Sequence, residues 1–285
     1  MHIHFDPVPW SMNTSIYEVN LRQYSPAGTF TSFIQELPRL ADMGIKILWF
    51  MPITPISMKM RQGTLGSYYA CSTYTHTNPE FGTLDDFKRL VQKAHDAGFK
   101  VIIDWVANHT GADHEWTSTN PGFYKRNAQG AFYDANGWVD VIDLNFYDQA
   151  MRREMISAME FWIRTCDIDG FRCDMAHLVP LDFWRDARRQ LEPIKPLFWL
   201  AETENNNYQH AFDCSYAWSF MHLSENMVGN KAGVNELRML LSEYQKKKLL
   251  QTNHLFFTSN HDENSWNGTE YEKYGAAALC FAVFT

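Results

Sequence analysis

The sequence predicts an α/β chain of repeated strand–helix units, a (β/α)8 barrel that is incomplete at its C-terminus and stops before the eighth strand. Three observations predict it. Seven strand-like runs alternate with helical patterns at the spacing of right-handed parallel βα units. Runs such as Ile45 to Met51 are mostly apolar, as strands buried on both faces are. Four of the runs end in charged or amide side chains, at the end of a strand-and-helix barrel where chemistry is done.

In chain order, Thr14 to Asn20 is a β-branched run and the first strand. Phe30 to Met43 carries apolar residues at helical spacing, with Gly44 as its stop and Pro38 as a weak point. The strand Ile45 to Met51 is closed by Pro52, and a Gly- and Tyr-rich loop follows from Arg61 to Gly82. Thr83-Leu-Asp-Asp86 resembles a capping box and opens a helix that stops at Gly98. Val101 to Val106 is the third strand. Asn108 to Asp140 is polar, rich in Gly and Asn, and too long for an ordinary βα loop, so it reads as an inserted segment. Three parts are therefore expected: barrel over 1–108, a short insertion over 109–140 after strand 3, and barrel again over 141–285. Gln149 to Arg164 is a helix. Gly170 to Met175 is a strand, Leu181 to Leu191 a helix and Leu197 to Thr203 a strand. Phe212 to Ala217 is a strand, Val234 to Lys248 a helix, Leu255 to Ser259 a strand and Tyr271 to Phe284 a helix.

The bulk composition narrows the function classes. Of 285 residues, 45% are hydrophobic, enough for a large core and against disorder. Most of the ten Trp and thirteen Tyr suit core packing, while some suit the walls of a sugar-binding groove. A formal charge of −8 argues against a nucleic-acid partner. No apolar run reaches membrane-spanning length, and Met1 to Trp10 shows no signal-peptide pattern, so the expectation is a cytoplasmic protein with no membrane partner. Five scattered cysteines without a CxxC fit free, mostly buried thiols.

The charged strand ends carry the chemistry. In Asp104-Trp-Val-Ala-Asn-His109 a carboxylate, an amide and an imidazole cluster at a strand exit. They could hold a hydroxylated ligand or a metal, or simply cap a turn. Arg172 and Asp174, two apart, point to the same side of one strand. Alone they read most simply as a structural ion pair. Glu202 ends the apolar run Phe198 to Ala201, where burial would raise its pKa toward that of a general acid. His261 and Asp262 follow Phe257 to Asn260. Retaining glycoside hydrolysis needs two carboxylates, a nucleophile and an acid/base, about 5–5.5 Å apart. A third carboxylate can favour the cationic transition state.

These four stretches together resemble the conserved regions of the α-amylase family of retaining glycoside hydrolases, a TIM-barrel clan active on α-glucans. The resemblance implies Asp174 as nucleophile, Glu202 as acid/base and Asp262 as transition-state stabiliser. It extends to Ser67–Tyr74 and Asn78–Thr83, where Tyr69 matches an aromatic that stacks on the −1 sugar, and to Val141–Asn145 near the end of the family's domain B. His109, Arg172 and His261 are implied contacts of that sugar or of the nucleophile. The implied substrate is a starch-like α-glucan or maltooligosaccharide. No cofactor is required for the chemistry.

The chain departs from the family pattern in places. Where α-1,4-glucan enzymes often carry Lys-His after the nucleophile, it reads His177-Leu178, with His177 the candidate substrate contact. The family's structural calcium site implies Asn108 as a metal ligand, with Asp113 and Asp134 the nearest acidic candidates. Rival readings are a transglycosylase or isomerase of the same family, a non-catalytic carbohydrate-binding relative, and a metal-dependent barrel hydrolase using His2-x-His4.

Overall fold

The computed structural model describes residues 5–247 and 253–285. The His2-x-His4 pair lies outside them. The chain divides into two compact units, Val8–Trp199 and a smaller one made of Leu200–Thr285 with the N-terminal stretch up to Pro7.

In the larger unit β1 (Ile16–Val19), β2 (Ile47–Phe50) and β3 (Lys100–Trp105) pair in parallel, with Ile16 opposite Ile47 and Ile47 opposite Lys100. An inserted segment after β3 contains β4 (His109–Gly111), which pairs antiparallel with β5 (Val141–Asp143); His109 stands opposite Asp143. The inserted hairpin thus closes on a strand beyond residue 140. The barrel sheet resumes with β6 (Gly170–Cys173), parallel to β3 with Asp104 opposite Arg172. The next strand, β7 (Phe198–Ala201), begins in this unit with Phe198 N–H bonded to the Asp169 carbonyl at 2.8 Å. In the smaller unit the end of β7 pairs in parallel with β8 (Cys214–Tyr216), and β8 with β9 (Asn253–Leu255). Seven parallel strands in chain order, with helices between them, are the (β/α)8 pattern with seven of its strands.

The helices form where capping and apolar spacing agree. Helix α1 (Leu84–Asp96) starts on the Thr83/Asp86 capping box, with Asp86 N–H on Thr83 Oγ1 at 3.2 Å and Thr83 N–H on Asp86 Oδ2 at 2.9 Å. It buries Phe87, Leu90, Val91 and Ala94. Helix α2 (Gln149–Cys166) is capped by Asp148, which accepts from Ala150 and Met151 N–H, and α3 (Leu181–Leu191) buries Phe183, Trp184 and Leu191. In the smaller unit, α4 (Trp218–Val228) and α5 (Val234–Lys247) follow β8.

Three expectations need correcting. The helix expected over Phe30–Met43 is broken into Phe30–Phe33, a 3₁₀ turn and Leu37–Asp42, with Pro38 in the first turn of the last piece, where its missing N–H costs nothing. The last strand is Asn253–Leu255 rather than Leu255–Ser259. The terminal helix is divided into Glu270–Tyr274 and Ala278–Phe284 by a turn beginning at Gly275, whose φ is +51°. All five cysteines are free, and four are buried. No helix among the described residues is long and apolar enough to cross a membrane.

Candidate active site

The larger unit's site is built around one buried guanidinium. Arg172, on β6, has no exposed surface. Its Nη1 donates to Asp174 Oδ1 and to Asp104 Oδ1, both at 2.9 Å. The β3–β6 register places Asp104 beside Arg172, and the two-residue strand repeat brings Asp174 to the same side. Asp104 also accepts from Trp49 Nε1 at 3.2 Å and from the Tyr69 hydroxyl at 3.1 Å, both on Oδ2. The Trp49 ring lies 5.0 Å from the guanidinium carbon, within cation–π range. Desolvation, then the Asp104 charge, push the Tyr69 phenol well above its usual pKa, so it stays a donor. One positive charge thus stands between two buried carboxylates, and an opposite charge at that distance favours the ionised form of each.

Local backbone geometry holds this arrangement. A Cβ on Gly170 would sit 2.0 Å from the Phe198 carbonyl oxygen, so only glycine lets β7 approach β6 there. Directly after Asp174 the chain turns sharply, with Met175 at φ +40°, into the 3₁₀ turn Ala176–Leu178. His177 sits exposed on that turn.

The inserted segment supplies a second cluster. Asn108 and His109 are both buried, and Asn108 Nδ2 donates to His109 Nδ1 at 3.2 Å. Burial lowers the His109 pKa to about 4, against smaller opposing effects of the Asp134 charge and a hydrogen bond with the Tyr69 backbone. The imidazole is therefore neutral at physiological pH. The half-exposed Trp138 indole packs edge-on against it at 5.2 Å.

The residues expected to hold calcium are engaged otherwise. Asn108 turns its amide N–H toward Asp143 Oδ1 at 3.4 Å, while Asp143 Oδ2 takes the Lys125 ammonium at 2.9 Å and the Ala135 N–H at 3.3 Å. Asp134 Oδ2 accepts the N–H groups of Asn136 and Trp138, and Asp113 Oδ2 those of Met58 and Lys59. A hard cation needs six or more oxygens turned toward it. Here the Asp134 and Asp143 carboxylates lie against each other, but their oxygens also accept from Lys125 and from backbone N–H groups and the Asn108 amide presents nitrogen, a donor set that does not fit one.

In the smaller unit, Glu202 lies just past β7 and is 5% exposed. His261 Nε2 lies 3.4 Å from Asp262 Oδ2. Asn260 is buried, and its Oδ1 accepts from the N–H groups of Asp262 at 3.1 Å and Glu263 at 2.9 Å, fixing the turn that carries His261 and Asp262.

The structure thus brings Asp174, Arg172 and Tyr69 together in one unit, with Asn108 and His109 joined beside the inserted strand pair. It places Glu202, His261 and Asp262 in the other. Sequence reasoning overlooked Trp49, which reads as one more core aromatic in an apolar strand, and Lys125, one cation in a polar stretch.

A parallel strand-and-helix chain with an Arg-clamped carboxylate at a strand's C-terminal end is of the TIM-barrel class to which many glycosidases belong. The description "Alpha amylase, catalytic domain" matches residues 11–128 and 121–273. The chain belongs to the α-amylase family. Among solved structures it is similar to an α-amylase from Lactobacillus plantarum (34% identity, TM-score 0.82, covering 88% of this chain and 63% of that one). It is also similar to a noncanonic maltogenic α-amylase from Thermotoga neapolitana (35%, TM-score 0.83, covering 88% and 60%). Among curated proteins, Alpha-amylase 3 of Dictyoglomus thermophilum is 27% identical over 306 residues, covering 92% of this chain and 59% of the relative. The chain thus spans about three-fifths of the length of these relatives.

Proposed function

We propose that this chain carries the catalytic residues of a retaining glycosidase acting on α-glucans or maltooligosaccharides. The observation that carries the reading is Asp174, fixed by the fully buried Arg172 that also binds Asp104. A carboxylate held in this way is ionised, oriented and short of solvent, the state in which it can attack an anomeric carbon. In this reading Asp174 Oδ attacks that carbon while Glu202 gives its proton to the departing glycosidic oxygen, leaving a β-glycosyl ester on Asp174. Glu202, now a carboxylate, takes a proton from water, and that water opens the ester with overall retention. Asp262 favours the positive charge that develops on the sugar ring. Tyr69, His109, His177 and His261 bind the sugar, and the neutral His109 ring adds no charge beside the nucleophile.

The test is product analysis by chromatography with maltoheptaose as the sole substrate and acceptor. Stoichiometric release of new reducing ends supports hydrolysis. Larger oligomers without reducing-end release would replace it with glycosyl transfer, which the same residues can perform when a sugar hydroxyl substitutes for water. No turnover of any α-glucan would overturn the catalytic reading for this chain.

A further inference from the structure

The inserted segment holds two carboxylates whose charges act on each other, Asp134 and Asp143. Asp143 is almost fully buried, with its side chain 1% exposed. Its side chain lies within hydrogen-bond reach of the Asp134 carboxylate. Two carboxylates this close repel each other unless a cation or a shared proton stands with them. Lys125 supplies the cation from within the same segment: its Nζ is 2.9 Å from Asp143 Oδ2. The backbone brings it there, because Lys125 N–H donates to the Asp143 carbonyl at 3.0 Å and its neighbour Tyr124 bridges to Leu144. Asp143 in turn stands opposite His109 in the β4–β5 pair and accepts from Asn108.

We propose that the Lys125 ammonium is a built-in substitute for a structural divalent cation. It balances the buried Asp143 carboxylate, next to Asp134, and locks β5 and the segment before it onto the end of β3, so that the inserted segment folds without metal. The proposal concerns the fold of this segment and holds whichever reaction the protein performs. The geometry favours Lys125 over a metal on three counts. The ammonium is covalently delivered and cannot dissociate. Both Asp143 oxygens already accept hydrogens. Asn108, the residue the family pattern would offer as an oxygen ligand, donates instead.

The experiment is thermal unfolding of the full chain in EDTA and in millimolar CaCl2, with calcium binding followed separately by isothermal titration calorimetry. The wild-type midpoint is expected to agree within about 1 °C between the two conditions, as linkage requires when no ion binds the native state, and calorimetry to show no site tighter than millimolar. Lys125→Met, which keeps the apolar stem and removes the charge, is expected to lower the midpoint by roughly 3–8 °C. Calcium should then restore part of the loss, because the acidic pair is left open. Lys125→Arg should recover most of the midpoint with no calcium response. A micromolar calcium site in the wild type, or a wild-type midpoint that drops by several degrees in EDTA, would overturn the proposal without reference to any variant. So would a Lys125→Met midpoint equal to the wild type's, or a Lys125→Arg protein no more stable than Lys125→Met.

Discussion

Replacing Arg172 by Met removes one positive charge from between two buried carboxylates and keeps most of the side-chain volume. The guanidinium has no exposed surface, and its Nη1 serves Asp104 and Asp174 at 2.9 Å each. At an effective dielectric constant near 20, unit charges about 4 Å apart attract by ~4 kcal/mol. Desolvation offsets much of that in the intact cluster, but removing one partner leaves the others buried and uncompensated, which costs ~3–5 kcal/mol. For a domain of this size that lowers the unfolding midpoint by roughly 6–20 °C. The loss has a pH signature. Without Arg172, one carboxylate of the pair keeps a proton to higher pH in the folded state than in the unfolded chain. A group with a raised folded pKa contributes stability at low pH that is lost as pH rises through the folded value. The gap between wild type and Arg172→Met should therefore be widest near pH 8 and narrower near pH 5. Urea denaturation at both pH values measures it. A gap under about 1 kcal/mol, or one that does not change with pH, would refute the electrostatic account of the cluster.

Three further outcomes are expected. Burial lowers the His114 pKa to about 3, its Nδ1 accepts the Trp116 N–H, and its Nε2 has no partner among the described residues. Stability from neutral His114 is then present above pH 6.5 and lost as pH falls below it, by ~2 kcal/mol at pH 5, so His114→Asn should flatten the acid limb of a stability–pH curve. Gly170→Ala should cost at least ~3 kcal/mol or prevent folding, because its methyl would sit 2.0 Å from the Phe198 carbonyl; a midpoint like the wild type's would show that β7 yields there. Glu202→Gln should slow cleavage of maltooligosaccharides by ~10²–10⁴-fold, yet slow glycosides with good leaving groups much less, since these need no proton. Equal losses on both substrate types would remove Glu202 from the acid role.

Much of the fold was legible because its signals are local. Thr83 and Asp86 cap α1 as their spacing suggests, and the apolar runs around Leu48, Ile102, Phe171 and Leu200 are the buried strands β2, β3, β6 and β7. Where sequence reading failed, the deciding interaction was not in the local pattern. Asn253 and His254 belong to β9 because β8 lies alongside, although neither is apolar; the apolar run after them drew the expected strand downstream. Trp218–Val228 is a helix whose N-terminal Ser219 is bound by Glu204 from a separate loop, a long-range cap that no nearby residue advertises. The candidate site divides in the same way. Arg172 and Asp174 could be paired from their two-residue spacing. The partnership of Trp49 and Tyr69 with Asp104 spans 55 and 35 residues and depends on strand register and loop path. Lys125 was invisible for the same reason, since nothing in a polar stretch marks which lysine will meet a buried carboxylate 18 residues on.

The most direct test of the central claim is to capture the sugar on the protein. An α-glucosyl fluoride carrying a second, ring fluorine forms the glycosyl ester faster than water removes it, and peptide mass spectrometry then locates the ester. The account predicts one glucosyl residue on the peptide containing Asp174, and none on an Asp174→Asn chain that remains folded. An ester on any other residue, or turnover of the fluoride with no ester on Asp174 at any time point, would contradict it.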